Sequence, residues 1–165
     1  MIKRILLVIM LSATCAFALS ETLRVGGVTN ASNYNSSSSS DFAPSLGLEV
    51  GQSLGIIDVG VGIAYNGSTG DNHFSTLPAY LLAKFNLFPA FVKPYIVAKV
   101  GYNLYTDSDL STSNPKGKAY YGAGIGMDIL AFQAELLYSS TQISGDNRGG
   151  DNLNQIGIYL GYDLN

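Results

Sequence analysis

The sequence predicts an all-β fold, a barrel of eight antiparallel strands connected up and down, and three observations lead to it. Segments of about ten residues alternate apolar and polar side chains, which is the pattern of strands with two unlike faces. The chain is 47% hydrophobic, with 19 glycines and only 13% charged residues, which is apolar for a soluble domain. No apolar run reaches the roughly 20 residues that cross a bilayer as a helix. With 165 residues, the chain has room for one domain.

The N-terminus predicts a cleaved signal peptide over residues 1–20. Lys3 and Arg4 form a short basic start, Ile5–Leu11 is apolar, and Ala16-Phe17-Ala18 offers small residues for cleavage. Cleavage after that signal or after Ser20 leaves a β-barrel domain over residues 21–165. A short membrane anchor is the alternative interpretation.

The mature chain is expected to contain no thiol and an excess of acidic residues. The single cysteine, Cys15, lies inside the signal peptide, so no disulfide, cysteine-ligated metal or cysteine nucleophile is expected. Lipidation of Cys15 is an alternative that the residues preceding it do not favour. Without Lys3 and Arg4, seven basic and twelve acidic residues remain, a net charge of about −5. A nucleic-acid partner, which needs a basic face, is therefore not expected.

The first four strands are predicted with polar loops after the first and third strands and a tight turn after the second. The loops are Asn30–Asp41 and Gly67–Ser75, and the turn is Ser53-Leu54-Gly55. The apolar faces of these strands contain Leu23, Val25 and Gly27; Leu46, Leu48 and Val50; Ile57, Val59, Val61, Ile63 and Tyr65; and Leu77, Ala79, Leu81, Ala83, Phe85 and Leu87.

The last four strands follow the same rule. Phe88–Lys93 and Leu130-Ala131 are short connections, whereas Thr106–Lys118 and Ser144–Asn152 are long and polar. The apolar faces contain Ile96, Ala98, Val100, Tyr102 and Leu104; Tyr121, Ala123, Ile125, Met127 and Ile129; Phe132, Ala134, Leu136 and Tyr138; and Ile156, Ile158, Leu160, Tyr162 and Leu164. Long loops at one end and short turns at the other predict a bacterial outer-membrane barrel with periplasmic termini.

The opposite face carries glycines, polar residues and all of the strand charges. An eight-stranded barrel has an interior just wide enough for side chains, so these groups are expected to fill the lumen. Because an unpaired charge in a confined site is costly, we expect them to form an ion-pair network; an ion pathway is the alternative. The expected network comprises Arg24, Glu49, Asp58, Lys84, Lys99, Asp128, Glu135 and Asp163. Four bulky side chains are expected beside it: Tyr80, Tyr95, Tyr120 and Tyr159.

Aromatic residues of the apolar face lie near the predicted strand ends, which is typical of membrane-interface girdles. The expected girdles comprise Tyr65, Tyr102, Tyr121 and Tyr138 at the long-loop ends and Phe85, Phe132 and Tyr162 at the short-turn ends. Lipid is expected to contact Leu46, Leu48, Val59, Val61, Leu81, Ile125, Leu136 and Ile158 between them. The complete prediction is an eight-stranded antiparallel transmembrane up-and-down β-barrel.

Three segments carry a resemblance to a known group: Lys93-Pro94-Tyr95, the glycine-rich Tyr121–Gly126 strand and the alternating C-terminal strand. The mature chain resembles the small eight-stranded outer-membrane barrels of the OmpA-like, OmpX-like and opacity-protein group. The resemblance implies a monomer surrounded by outer-membrane lipid and lipopolysaccharide and inserted by the barrel assembly machinery. Barrels of this group usually end on an aromatic residue, whereas this chain ends on Leu164-Asn165. No periplasmic domain is expected after Asn165.

No catalytic, cofactor or metal site is predicted. Some small outer-membrane barrels modify lipid A, and a deacylase of that kind needs a serine and a histidine oriented by a carboxylate. The sole histidine, His73, lies in a predicted loop beside Asp71, where an exposed polar role is expected. The acidic pairs that could bind Ca²⁺ weakly, without a recognisable ligand spacing, are Asp107 with Asp109 and Asp146 with Asp151.

The expected function is that of a non-catalytic surface barrel. It would contribute to envelope integrity, adhesion or both through four extracellular loops, which could contact host or cell-surface ligands. A small or transient porin-like channel is the first alternative, and a lipid A-modifying enzyme is the second.

Overall fold

The computed structural model describes residues 19–31, 42–69, 74–88, 91–107, 117–145 and 148–164. Within them, eight strands form a closed barrel in which each strand pairs antiparallel with the next and β8 returns to β1. This confirms the predicted fold class. The strands are β1 (Ser20–Asn30), β2 (Ala43–Ser53), β3 (Ile57–Thr69), β4 (Phe74–Asn86), β5 (Val92–Asp107), β6 (Gly117–Ile129), β7 (Phe132–Gly145) and β8 (Arg148–Asp163). In the described part of the chain, no helix has the length and apolar character needed to span a membrane.

The barrel has its apolar side chains outside and its charges inside. Successive side chains of a strand point to opposite faces, so each strand contributes to both surfaces. The eight residues predicted to contact lipid are all on the outer face, with between 39% and 60% of their surface exposed. Arg24, Glu49 and Lys99 are buried in the lumen. Such an arrangement is the reverse of a soluble barrel and presents an apolar belt to a bilayer.

The two ends of the barrel differ in their connections. The terminal end has the first residue of β1, the last residue of β8 and the connections 54–56, 87–91 and 130–131. The loop end has the connections 31–42, 70–73, 108–116 and 146–147. Two tight turns at the terminal end use backbone with positive φ, at Gly55 (91°) and at Leu130 (56°).

Two predicted loops are shorter than their composition indicated. β3 continues to Thr69 before β4 begins at Phe74, and β7 continues to Gly145 before β8 begins at Arg148. The predicted extents Gly67–Ser75 and Ser144–Asn152 are therefore wrong, and so is the strict alternation of long and short connections. Ladder hydrogen bonds satisfy the backbone whatever the side chains are, so polar residues can remain in the sheet.

One irregularity interrupts the alternation near the loop end of β4 and β5. Leu77 is paired with Tyr105 and Pro78 with Asn103, which leaves Leu104 as the extra residue of a bulge. Pro78 has no N–H to donate to the ladder, and proline is tolerated at such bulges. As a result, the consecutive residues Leu104 and Tyr105 both lie on the outer surface.

Candidate functional site

Five of the eight predicted lumen charges meet at mid-height and form what we term the central network: Arg24 (β1), Glu49 (β2), Lys84 (β4), Lys99 (β5) and Glu135 (β7). Arg24 places Nη1 2.5 Å from Glu49 Oε1 and Nη2 2.5 Å from Glu135 Oε1. Lys99 Nζ lies 2.8 Å from each of the same two oxygens. Lys84 Nζ lies 3.8 Å from Glu49 Oε2. Each carboxylate thus contacts at least two cations.

Strand register gives most of these long side chains a glycine as a direct neighbour. Because glycine has no side chain, the space in front of it is available to other lumen side chains, and Tyr80 occupies it at Gly62 and Tyr95 at Gly126. The register pairs are Arg24 with Gly47 and Gly161, Glu49 with Gly62, Lys99 with Gly122, and Glu135 with Gly126. The lumen glycines therefore accommodate the network in a barrel of only eight strands.

Two tyrosines add hydrogen bonds to the carboxylates, while Glu49 Oε2 has no hydrogen-bond partner among the described residues. The Tyr80 hydroxyl donates to Glu49 Oε1 at 2.9 Å, and the Tyr95 hydroxyl donates to Glu135 Oε2 at 3.2 Å. Tyr120 packs against Tyr80 with ring centroids 5.7 Å apart. All four predicted lumen tyrosines are buried.

The same rings face the cations of the network. Arg24 lies 4.4 Å from the ring centroid of Tyr159, Lys84 Nζ lies 5.2 Å from that of Tyr95, and Lys99 Nζ lies 5.1 Å from that of Tyr80. Three cations and two carboxylates leave the network with one excess positive charge, and cation–π attraction to three rings offsets it. Ion pairs and rings together fill the middle of the lumen.

The other three predicted network residues, Asp58, Asp128 and Asp163, lie nearer the terminal end and do not join the central network. Each accepts a hydrogen bond from a neutral side chain. Asn86 Nδ2 donates to Asp58 Oδ2 at 2.9 Å, and Gln133 Nε2 donates to Asp128 Oδ1 at 3.1 Å. Thr22 Oγ1 donates to Asp163 Oδ1 at 2.5 Å. The sequence predicts one network of eight charges, whereas the structure divides these residues into two groups.

A cavity of about 380 Å³, the terminal vestibule, is lined by these three aspartates at the terminal end. Glu49 and Lys84 of the central network also line it, so the network forms its inner wall. At the loop end, Ser45 Oγ donates to Asn66 Oδ1 at 2.7 Å, and Asn66 Nδ2 donates to Thr76 Oγ1 at 3.1 Å. The lumen therefore has a neutral polar layer, a paired ionic layer and an acidic vestibule.

All seven residues of the expected aromatic girdles are on the outer surface, with between 46% and 63% of their area exposed. At the terminal end, Phe132 packs on Tyr162 with centroids 5.3 Å apart. Sequence reasoning missed a second apolar group in the turns at this end. Its exposed members are Leu54, Ile56, Phe88, Phe91 and Leu130. The sequence did contain a signal for this group, because turns are usually polar and these predicted turns contain apolar residues.

Several other predictions fall outside the described residues. These are the signal peptide and Cys15, His73 with Asp71, and Asp109 and Asp146; the side chains of Asp107 and Asp151 also lie outside them. In the part of the chain that is described, no group of three or more His, Cys, Asp or Glu side chains is placed to hold a metal ion.

The chain is similar to bacterial outer-membrane proteins in both sequence and structure. A family model described as "Outer membrane protein beta-barrel domain" matches residues 5–163. The Neisserial surface protein A has 15% identity and a TM-score of 0.59, with 87% of this chain and 96% of that chain covered. The N-terminal β-barrel domain of Pseudomonas aeruginosa OprF has 15% identity and a TM-score of 0.55, with 88% and 97% covered.

A third solved structure shares the fold at a similar level. Ail, the attachment invasion locus protein of Yersinia pestis, has 13% identity and a TM-score of 0.50, with 88% of this chain and 97% of that chain covered. That crystal structure contains a heparin analogue, sucrose octasulfate. No curated protein sequence matches the chain.

Proposed function

From the premise that this chain belongs to the outer membrane protein β-barrel family and resides in the bacterial outer membrane, we propose that it is a non-catalytic surface barrel. It contributes to envelope integrity or adhesion through its loop end, while its terminal end faces the periplasm. The single observation that carries the proposal is the buried central network, which fills the lumen at mid-height. A barrel filled in this way serves as a rigid support for surface segments.

The proposal favours a structural lumen over an open pore for a physical reason. Moving ions through the barrel would require separating Arg24 and Lys99 from Glu49 and Glu135, all of which are buried. Breaking a buried ion pair leaves an uncompensated charge and costs about 3–5 kcal/mol. A steady pathway for ions would also require displacing the rings that cover the cations.

The charge of the segments at the loop end limits which kinds of surface ligand are expected to bind. The segments between strands at the loop end contain the acidic residues Asp41, Asp71, Asp109 and Asp146, against the single lysine Lys116, and a run of five serines at residues 36–40. A polyanion such as the sulfated sugar bound to Ail would be repelled by this composition. We therefore propose a neutral or basic surface partner for adhesion.

Two measurements test the function. The purified barrel in planar bilayers is expected to give no steady conductance, and a stable open level would contradict the proposal. In cells, residues 32–41 would be replaced by a short Gly/Ser linker. Normal surface display with reduced attachment to host cells or other cells would assign adhesion. Envelope integrity would be assigned by a different set of results. The variant would attach normally, a strain lacking the protein would be sensitive to detergent, and the variant would restore the resistance of that strain. If neither phenotype appears, the proposed role is wrong.

A further inference from the structure

The terminal vestibule contains carboxylates that have no cationic partner. Asp58, Asp128 and Asp163 are all hydrogen-bonded to neutral side chains. Among the described residues, no lysine, arginine or histidine nitrogen lies within 4.0 Å of any of the three. Four carboxylates line the cavity against two lysines, Lys84 and Lys93. A cleft with such an excess of negative charge raises the local concentration of cations. The vestibule therefore attracts cations.

The lysines nearest these aspartates are directed elsewhere. Lys84 is the register partner of Asp58, but its Nζ contacts Glu49 and the ring of Tyr95. Lys93 is the register partner of Asp128 and also lines the cavity, but it is exposed and forms no ion pair with a described aspartate. Neither lysine forms an ion pair with the three aspartates, so an external cation can still reach these carboxylates.

A second and independent observation is the presence of acceptor atoms without donors. Gln133 lines the vestibule and is only 5% exposed, yet its Oε1 has no hydrogen-bond partner among the described residues. The same holds for Asp58 Oδ1 and Asn86 Oδ1, which line the same cavity. Buried polar atoms are almost always hydrogen-bonded, so this set indicates a missing partner. All three atoms are oxygens, and a partner must therefore donate hydrogen bonds, as water or an ammonium group does, or carry positive charge.

The spread of the carboxylates favours an extended organic cation over a metal ion. They are on β3, β6 and β8, and no three carboxylates in the described residues are close enough to hold one metal ion. Apolar residues of the same cavity, Leu82 and Phe88, lie among them. We propose that the terminal vestibule binds a linear aliphatic diamine or polyamine, with ammonium groups on the aspartates and methylenes on the apolar wall.

The first test uses the unmodified barrel in a neutral detergent and a chemical series of probes. Calorimetric titration at about 10 mM salt, where charges are little screened, is expected to show saturable binding of butane-1,4-diamine. Butylamine, with one charge, should bind at least about tenfold more weakly, and butane-1,4-diol should not bind. The proposal is overturned if the diamine does not saturate, if butylamine equals it, or if Mg²⁺ binds as tightly.

The second test locates the site. Asp58→Asn and Asp128→Asn remove one charge each but keep an acceptor oxygen for the neighbouring amide. Each should weaken diamine binding about tenfold, because each removes one charge-assisted hydrogen bond to an ammonium group. Glu21→Gln is the matched control, because Glu21 is exposed and does not line the vestibule. Equal weakening in the control would show general attraction to an acidic protein and refute the site. If the variants do not fold, the probe series on the unmodified barrel decides.

Discussion

Arg24 Nη2 lies 2.5 Å from Glu135 Oε1, although β1 and β7 are not adjacent in the barrel. The ion pair passes β8, which separates the two strands, inside the lumen. Lys99 of β5 contacts the same carboxylate oxygen at 2.8 Å. One carboxylate therefore connects three strands through side chains, in addition to the backbone ladder that closes the wall.

Replacing Glu135 with glutamine should lower the stability of the barrel. The substitution removes one of two carboxylates and leaves Arg24, Lys84 and Lys99 opposite Glu49 alone. The expected loss is about 3 kcal/mol, since an uncompensated buried charge remains. It is measured by urea unfolding of the barrel reconstituted in lipid vesicles. Glu21→Gln, on an exposed side chain, should change little. An unchanged midpoint for Glu135→Gln would show that the lumen is well hydrated.

The effects of substituting Lys99 and Glu135 on the free energy of unfolding should be coupled. Removing both charges in a Lys99→Met, Glu135→Gln double variant should cost about 1–3 kcal/mol less than the sum of the single variants, because neither partner is left unpaired. Lys93→Met with Glu135→Gln is the matched control. Lys93 is exposed and has no ion pair within the described residues, so these two changes should add to within about 0.5 kcal/mol. Additivity in both cycles would contradict a coupled network.

Two glycines of β6 should respond differently to the same substitution. A methyl group at Gly126 would meet the ring and hydroxyl of Tyr95 and the backbone carbonyl of Ala134, whereas at Gly122 the nearest atoms are 3.4 Å away or farther. Gly126→Ala should therefore displace Tyr95, weaken its hydrogen bond to Glu135, and destabilise the barrel by about 1–3 kcal/mol. Gly122→Ala should be nearly neutral in the same unfolding assay. Equal effects would mean that the Tyr95 ring and the Ala134 backbone both shift without cost.

The wall was predictable from the sequence because strand alternation is a local pattern. Alternation within a single strand places Val59, Val61 and Ile125 on the outer face, and no knowledge of the neighbouring strand is needed. The partners of Arg24 and Lys99 were not individually predictable, because they depend on the stagger between distant strands. For the same reason, the sequence did not separate Asp58 from the central network. A shift of a few residues along a strand decides whether a carboxylate reaches that network or the vestibule.

Position 130, in the turn between β6 and β7, should accommodate glycine better than the leucine that occupies it. Leu130 has φ of 56°, in the left-handed region that costs most side chains about 1–2 kcal/mol, and 75% of its surface is exposed. Leu130→Gly should raise the free energy of unfolding by up to about 1 kcal/mol, with the relief of strain partly offset by greater freedom of the unfolded chain. Ala131→Gly, at a residue without positive φ, should lower it. A loss of stability in Leu130→Gly would indicate that the exposed leucine is held by lipid.

Closure of the wall between β1 and β8 sets the order in which the chain can fold. The other seven strand pairings join neighbours in sequence, whereas the hydrogen bond from Thr22 to Asp163 joins residues 141 positions apart. Local hairpins can therefore form early, but the seam must wait for the last strand, and the loop entropy of that single step slows the whole reaction. A nascent chain that stops before β8 has two unpaired edges, on β1 and β7, which are templates for aggregation. The last strand, β8, which has 16 residues, thus controls the folding yield as well as the final shape.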